Sequence, residues 1–161
     1  MAATIPAPEM VAILNRFFGI VVDEVERHGG LVNKFEGDAA LAVFGTPARL
    51  SDAAGAALAT ARAIRARLDT ACGDFGAAIG VAAGRVVAGN VGAHQRYEFT
   101  VIGDAVNEAA RLCELAKQEG LLLASGNTVA AAAVAEAEQW RLGESVTLRG
   151  RLAPTRLARP A

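Results

Sequence analysis

Cysteine and histidine are scarce in this sequence, and it has no excess of basic residues. Each shortage closes off a class of function. Cys72 and Cys113 stand far apart, with no CxxC or CxxxH neighbours. That excludes a disulfide framework and a zinc site, and reads as two small buried thiols in a reducing compartment. His28 and His94 are isolated, and neither has a partner at ligand spacing. Sixteen Lys and Arg face 17 Asp and Glu, a formal net charge of −1, so no basic field recruits nucleic acid. No apolar run is long enough to span a membrane, and the first residues carry no signal-peptide pattern. The phosphate loop GxxxxGK[ST], a strand–GxGxxG–helix fingerprint, the GxSxG elbow and HExxH are all missing, so hydrolase triads and zinc peptidases have no foothold. There is no internal repeat and no linker of domain-boundary type.

What is present fits one domain over residues 1–161, long enough to bury a real core. The hydrophobic fraction of 53% comes largely from alanine, which suits close-packed helices. Residues 1–7 read as an unstructured lead. Pro8-Glu9 fits a helix start, with proline at the first position and an acid near the positive dipole end. Val11, Leu14, Phe18, Val21 or Val22, and Val25 then recur at helical steps, and Gly29-Gly30 ends the run. A second helix is capped by Ser51 or Asp52, with a stripe of Ala54, Leu58, Ala61, Ile64 (or Arg65) and Leu68; Gly73 to Gly76 breaks it. Strands are expected over 77–83, 85–91 and 97–102. A third helix follows, with Asp104 as its N-cap and Val106, Ala110, Cys113 and Ala116 or Lys117 on its buried side. A short buried strand at 121–124, an alanine-rich helix at 125–135 and a hairpin of 138–142 with 145–148 around Gly143-Glu144 complete the chain. The coarse order is α β β α β β α β α β β, an α+β or α/β arrangement.

Two stretches carry candidate chemistry. In LVNKFEGDAALAVFGTP, residues 31–47, two apolar runs flank Glu36-Gly37-Asp38, a tight-hairpin signal because glycine supplies the positive φ of such a turn. Asp38 at the open turn is a carboxylate that can hold a hard cation such as Mg²⁺. Lys34 in the first strand can hydrogen-bond a base edge or an anion. Taken alone, the stretch reads first as a surface hairpin with a solvated charged tip. On the third helix Asn107 and Arg111 stand four residues apart and share a face. Asparagine offers a donor and an acceptor, and arginine a fork suited to phosphate oxygens. The plain alternative is an exposed helical face of Asn107, Glu108 and Arg111. Arg149-Gly150-Arg151 is a small basic cluster able to meet a polyphosphate or to remain a solvated edge.

Taken together, VNKFEGDAALAVFG, GVAAGRVVAGNVG, RYEFTVIGDAVNEAARL and, more faintly, VTLRGR resemble the class III nucleotidyl cyclase catalytic domain, in the family's order and over most of the chain. The resemblance is nearest to bacterial adenylyl cyclases of the actinobacterial kind. It implies an α+β fold, a ferredoxin-like palm with a small C-terminal α/β extension. It also implies adenylate cyclase activity: ATP becomes 3′,5′-cyclic AMP and pyrophosphate by two-metal, in-line attack of the ribose 3′-hydroxyl on the α-phosphate, with Mg²⁺ or Mn²⁺ as cofactor. By resemblance Lys34 selects adenine, Asp38 is the second of two metal-binding aspartates, Asn107 orients the ribose and Arg111 stabilises the transition state. Arg151 falls where a basic residue holds the terminal phosphates. Thr100 stands where the family commonly has aspartate, a Lys/Thr pairing similar to the bicarbonate-responsive subgroup.

The family's first metal aspartate lies on an initial strand, and no Asp or Glu precedes Glu9. The resemblance therefore implies a chain that starts after that strand and is weakly active or inactive by itself. It further implies a homodimer with sites at the interface, no nucleic-acid or membrane partner, and a cytoplasmic location, alone or within a larger protein. The rival readings are a catalytically silent nucleotide-binding module, a guanylyl cyclase, which Lys34 opposes, and a polymerase palm, which the missing basic field opposes.

Overall fold

The structure, a computed structural model, describes residues 5–72 and 76–161. Residues 1–4 of the expected lead and 73–75 of the expected helix breaker lie outside them. Helix α1 (Ala7–Arg27) has Pro8 inside its first turn, one place later than expected, and ends at His28 before Gly29 at φ +78°. Strands β1 (Leu31–Glu36) and β2 (Ala39–Val43) form the expected hairpin, with Glu36 opposite Ala39 and Gly37 at φ +61°. Helix α2 (Ala53–Ala71) is capped by Asp52, whose carboxylate accepts the Gly55 amide at 2.9 Å. After it come β3 (Ile79–Val81), β4 (Val87–Ala93), β5 (Arg96–Ile102) and α3 (Asp104–Ala116). The rest is β6 (Leu122–Ser125), the short helices α4 (Gly126–Ala131) and α5 (Val134–Ala137), β7 (Trp140–Val146) and β8 (Thr155–Pro160).

The strands fall into one four-stranded sheet, β3-β6-β8-β7, and two hairpins, β1-β2 and β4-β5. β3 runs parallel to β6, and the other pairs in the sheet are antiparallel. Alternation along β3 sorts its neighbours: Ile79 and Val81 meet the side covered by α2, while Ala78 and Ala82 meet Leu112 and Ala116 of α3. The cluster of Phe17, Ile20, Val21 and Val25 with Ile64 and Leu68 covers Ala40 and Ala42 of β2 and also Ile79 of β3. The hairpin and the main sheet therefore share one helical cover, although among the described residues β2 pairs only with β1 and β3 only with β6. Glu24 is 1% exposed; it ties α1 to α2 through Arg67 at 2.8 Å and pairs with Arg27 of its own helix at 2.9 Å.

Helix α3 lies against β3 because Gly80 has no side chain. A Cβ there would stand 2.2 Å from the Ala109 carbonyl oxygen and 2.4 Å from the Cys113 amide.

Further features depart from the pattern in the sequence: the buried side of α1 includes Phe17 and Ile20 while Val11 is 56% exposed, and the helix expected over 125–135 is split into α4 and α5. Gly143-Glu144 is a bulge within β7, between Leu142 and Ser145, and the partner of β7 is the C-terminal strand β8. A glycine beside a polar residue signals a bulge as readily as a turn. The buried side of α3 is Ala105, Glu108, Leu112 and Ala116, while Ala110 is exposed. Glu108 sits at a core-facing place because a cation from far along the chain neutralises it.

Candidate functional site

The first part of the site stands on the hairpins. Gly37 and Asp38 form the two-residue loop, and the Asp38 side chain is exposed. Lys34 is half-buried and pairs with Glu36 of its own strand at 3.3 Å. Between Val32 and Lys34 the register of β1 against β2 shifts by one residue, which makes Asn33 the bulged residue. Bulges re-aim side chains, and here the Asn33 amide turns across to β5 and donates from Nδ2 to the Phe99 carbonyl at 3.0 Å. Among the described residues this is the one side-chain hydrogen bond joining the two hairpins. The carbonyl fixes which end of the amide is nitrogen. Asn33 Oδ1 then points away and is buried without a partner, an arrangement that costs on the order of 1–3 kcal/mol. The bond ties the strand that carries Lys34 to the strand that carries Thr100. The Thr100 hydroxyl has no hydrogen bond to any described residue, and its cross-strand partner is Gly89.

The second part is a cavity of about 330 Å³ between α3 and the segment before β8, lined by Asp104, Asn107, Ala110, Arg111, Arg149, Gly150 and Arg151. Asn107 and Arg111 face it from successive turns. Arg111 is held by Glu114, with Nη1 2.9 Å from both carboxylate oxygens. Arg151 is turned inward and is 12% exposed. It donates to Asp104 at 3.1 and 2.6 Å, to Glu108 at 2.6 Å, and to the Thr155 hydroxyl. Thr155 donates in turn to Glu108 at 2.6 Å. Glu108 and Thr155 are 4% and 3% exposed, so this is a buried charged cluster in which every side chain has a partner. The hydrogen bonds from Arg151 hold the Asp104 carboxyl below its usual range, and those same bonds, with the nearby Glu108 charge, raise the Arg151 guanidinium above its own. Asp104 does not cap α3, as its place in the sequence suggests. Gly103 is the capping residue, and the Asp104 side chain is committed to Arg151.

The structure thus gathers Asn107, Arg111 and Arg151 around one cavity, and sets Lys34 and Thr100 at a separate junction. Asp38 stands alone at its turn. Arg149 is exposed at the cavity mouth and forms no salt bridge among the described residues. Sequence reading misses Asn33 and Thr155 and places Glu108 on an exposed face. A bulge leaves no periodicity signal, and Glu108 looks solvated until Arg151 is seen beside it. A larger cavity, about 500 Å³ between α2 and the α4–α5 segment, holds none of the expected residues. Its Arg62 and Glu136 pair with each other at 2.8 and 2.6 Å.

The description "Adenylate and Guanylate cyclase catalytic domain" matches residues 1–155. An uncharacterised protein of Mycobacterium bovis is 63% identical over 156 residues, which is 96% of this chain and 28% of that protein. An uncharacterised protein of Mycobacterium tuberculosis is 62% identical over the same shares. The chain therefore spans just over a quarter of the length of these relatives. Among solved structures, the adenylyl cyclase CyaB from P. aeruginosa superposes with a TM-score of 0.82 at 25% identity, over 98% of this chain and 84% of that one. The guanylyl cyclase Cya2 superposes at 0.71 with 26% identity, over 96% and 81%.

Proposed function

Because the chain belongs to the adenylate and guanylate cyclase catalytic-domain family, we propose that it is the adenylyl cyclase domain of a longer protein, acting on ATP. The observation that supports this reading is a pair of donor sets, one on the hairpins and one around the α3 cavity. Lys34 and Thr100, whose hydroxyl has no partner among the described residues, stand on two strands joined by the Asn33 bond, and Asn107, Arg111 and Arg149 stand around one cavity. A lysine ammonium donates to the ring nitrogen of adenine that guanine presents as N–H. A threonine hydroxyl accepts from the adenine amino group.

In the proposed reaction the ribose 3′-oxygen bonds to the α-phosphorus, the bond to the β-phosphate bridging oxygen breaks, and pyrophosphate leaves with that electron pair. The 3′-hydroxyl gives up its proton to solvent water. Asn107 orients the ribose. Arg111 meets the charge that grows on the α-phosphate oxygens, and fixed charge of this kind supplies the larger share of such catalysis. Arg149 takes the terminal phosphates. Arg151, matched to that role by sequence, contributes by holding the 149–151 turn against α3.

The family generally uses divalent metal ions. Asp38 is one exposed carboxylate, and no group of three or more His, Cys, Asp or Glu gathers among the described residues. These residues alone do not cage two dications. The open edges of β2 and β3 under a shared helical cover support a further strand between them, bringing a second carboxylate from elsewhere in the longer protein. Homodimerisation, with each site completed by two chains, belongs to the same proposal.

The test is cyclic-nucleotide synthesis by the full-length protein, with ATP and GTP compared in the presence of Mn²⁺. Cyclic AMP in large excess over cyclic GMP is the expected result. Preference for GTP defeats the base assignment, and nucleotide binding without turnover favours the silent module.

A further inference from the structure

Gly89 differs from the other glycines that lie in strands. A Cβ on Gly80 would strike the Ala109 carbonyl oxygen at 2.2 Å, one on Gly92 the Arg96 carbonyl oxygen at 2.2 Å, and one on Gly143 the Arg159 guanidinium at 2.8 Å. Gly89 lies inside β4, its φ is outside the left-handed region, and a Cβ built on it would meet nothing within 4 Å. Neither backbone nor packing asks for glycine there, and a glycine inside a strand weakens it. Directly opposite, in register, stands Thr100. Opposed residues of an antiparallel pair project to the same face. The missing side chain therefore opens space beside a hydroxyl that has no described protein partner. The pair Val87 and Ile102, 75% and 60% exposed, lies two residues along on that face and offers an apolar shelf next to the gap. Asn33 ties the strand that carries Lys34 to β5 at Phe99, the residue before Thr100.

We propose that Gly89 is a specificity-determining position: the side chain it lacks forms the notch through which the purine edge reaches Thr100. The proposal rests on the nucleotide-binding reading above and names where the base enters. A methyl at position 89 fits the empty strand face but occupies the space the base needs, so stability and activity should move in opposite directions. A purely structural glycine would lose both together.

The experiment uses Gly89→Ala and Gly89→Val in the full-length protein. Thermal midpoint, kcat and KM for ATP, and equilibrium binding of a fluorescent ATP analogue are measured. The expected result is a midpoint unchanged or raised. KM and the analogue dissociation constant should rise about tenfold for alanine and further for valine, with kcat moved less. An unchanged KM in a variant that keeps its midpoint overturns the notch. A fall in midpoint for Gly89→Ala overturns it too, because the glycine is then structural. If the wild type binds the analogue without making cyclic nucleotide, the cyclase reading fails, and the notch is judged on the binding ratio alone.

Discussion

The two halves of the candidate site are built to different standards. Around α3, Arg151 ties the first turn of the helix to the segment before β8 through Asp104, Glu108 and Thr155, and all four side chains find partners. At the hairpins, one amide bond from a bulged residue spans β1 to β5 and leaves an acceptor orphaned. Groups that meet developing charge must be held within a fraction of an ångström before substrate arrives. Groups that read a base need only reach it once it has docked. On the proposed reading, the phosphate wall is braced in advance, and the base-reading edge rests on a single side-chain bond.

The sharpest way to break this comparison is to ask whether both halves serve one site. Asp38→Ala and Asn107→Ala should each abolish cyclic-AMP synthesis. Mixed after subunit exchange, they should recover at most about a quarter of wild-type activity, since half the dimers are mixed and one of their two sites is unaltered. No recovery despite demonstrated exchange would mean that each chain completes its own site.

Bracing is tested next by Glu108→Ala. It strips a buried cation of its nearest buried partner and should lower stability by about 3–5 kcal/mol, read from denaturant midpoints. A loss under about 1 kcal/mol would show that Asp104 alone suffices for Arg151. Arg111→Ala leaves the brace whole and should reduce kcat about 10²–10³-fold with KM little changed. An effect confined to KM would make Arg111 a ground-state clamp.

Asn33→Ala removes one hydrogen bond and one orphaned acceptor together, so stability should move by less than about 1 kcal/mol. The ratio of ATP to GTP turnover should nevertheless fall, because the side-chain bond that ties the Lys34 strand to the Thr100 strand is lost. An unchanged ratio would mean that some other contact sets the spacing. The smallest effect is acid sensitivity. Arg151 depresses the Asp104 pKa. That contribution is therefore present above the ordinary aspartate range and fades as pH falls through the lowered value, below about pH 4. Asp104→Asn should flatten the dependence of thermal midpoint on pH in that window and change little at neutrality.

The same contrast marks what the sequence could disclose. The hairpin, the α2 stripe of Leu58, Ala61, Ile64 and Leu68, and the Asn107–Arg111 spacing all follow local rules of turn chemistry and periodicity, and all are legible. The buried face of α3 is not, because Glu108 is explained only by a residue 43 positions away. The pairing of β7 with β8 is hidden for a related reason: strand partners are chosen by tertiary packing, and Gly143 offers a nearer and wrong turn. Arg149 and Arg151 look interchangeable in the sequence. Only the fold shows one committed to the protein and the other exposed at the cavity mouth.

The contact at Gly80 gives the domain a weak point far from any reacting atom. Helix α3 carries Asn107 and Arg111, and its height above the sheet is gauged by a hydrogen atom on Gly80. Any heavier substituent wedges the helix outward, and both side chains travel with it. A shift of about 1 Å is enough to cost around a hundredfold in rate. A population survey of variants would therefore find position 80 as intolerant as the active-site residues themselves, although it touches no substrate. The atoms it meets belong to the backbone of Ala109 and Cys113. No second substitution can trim a backbone, so a search for suppressors of a Gly80 variant would recover reversion and little else.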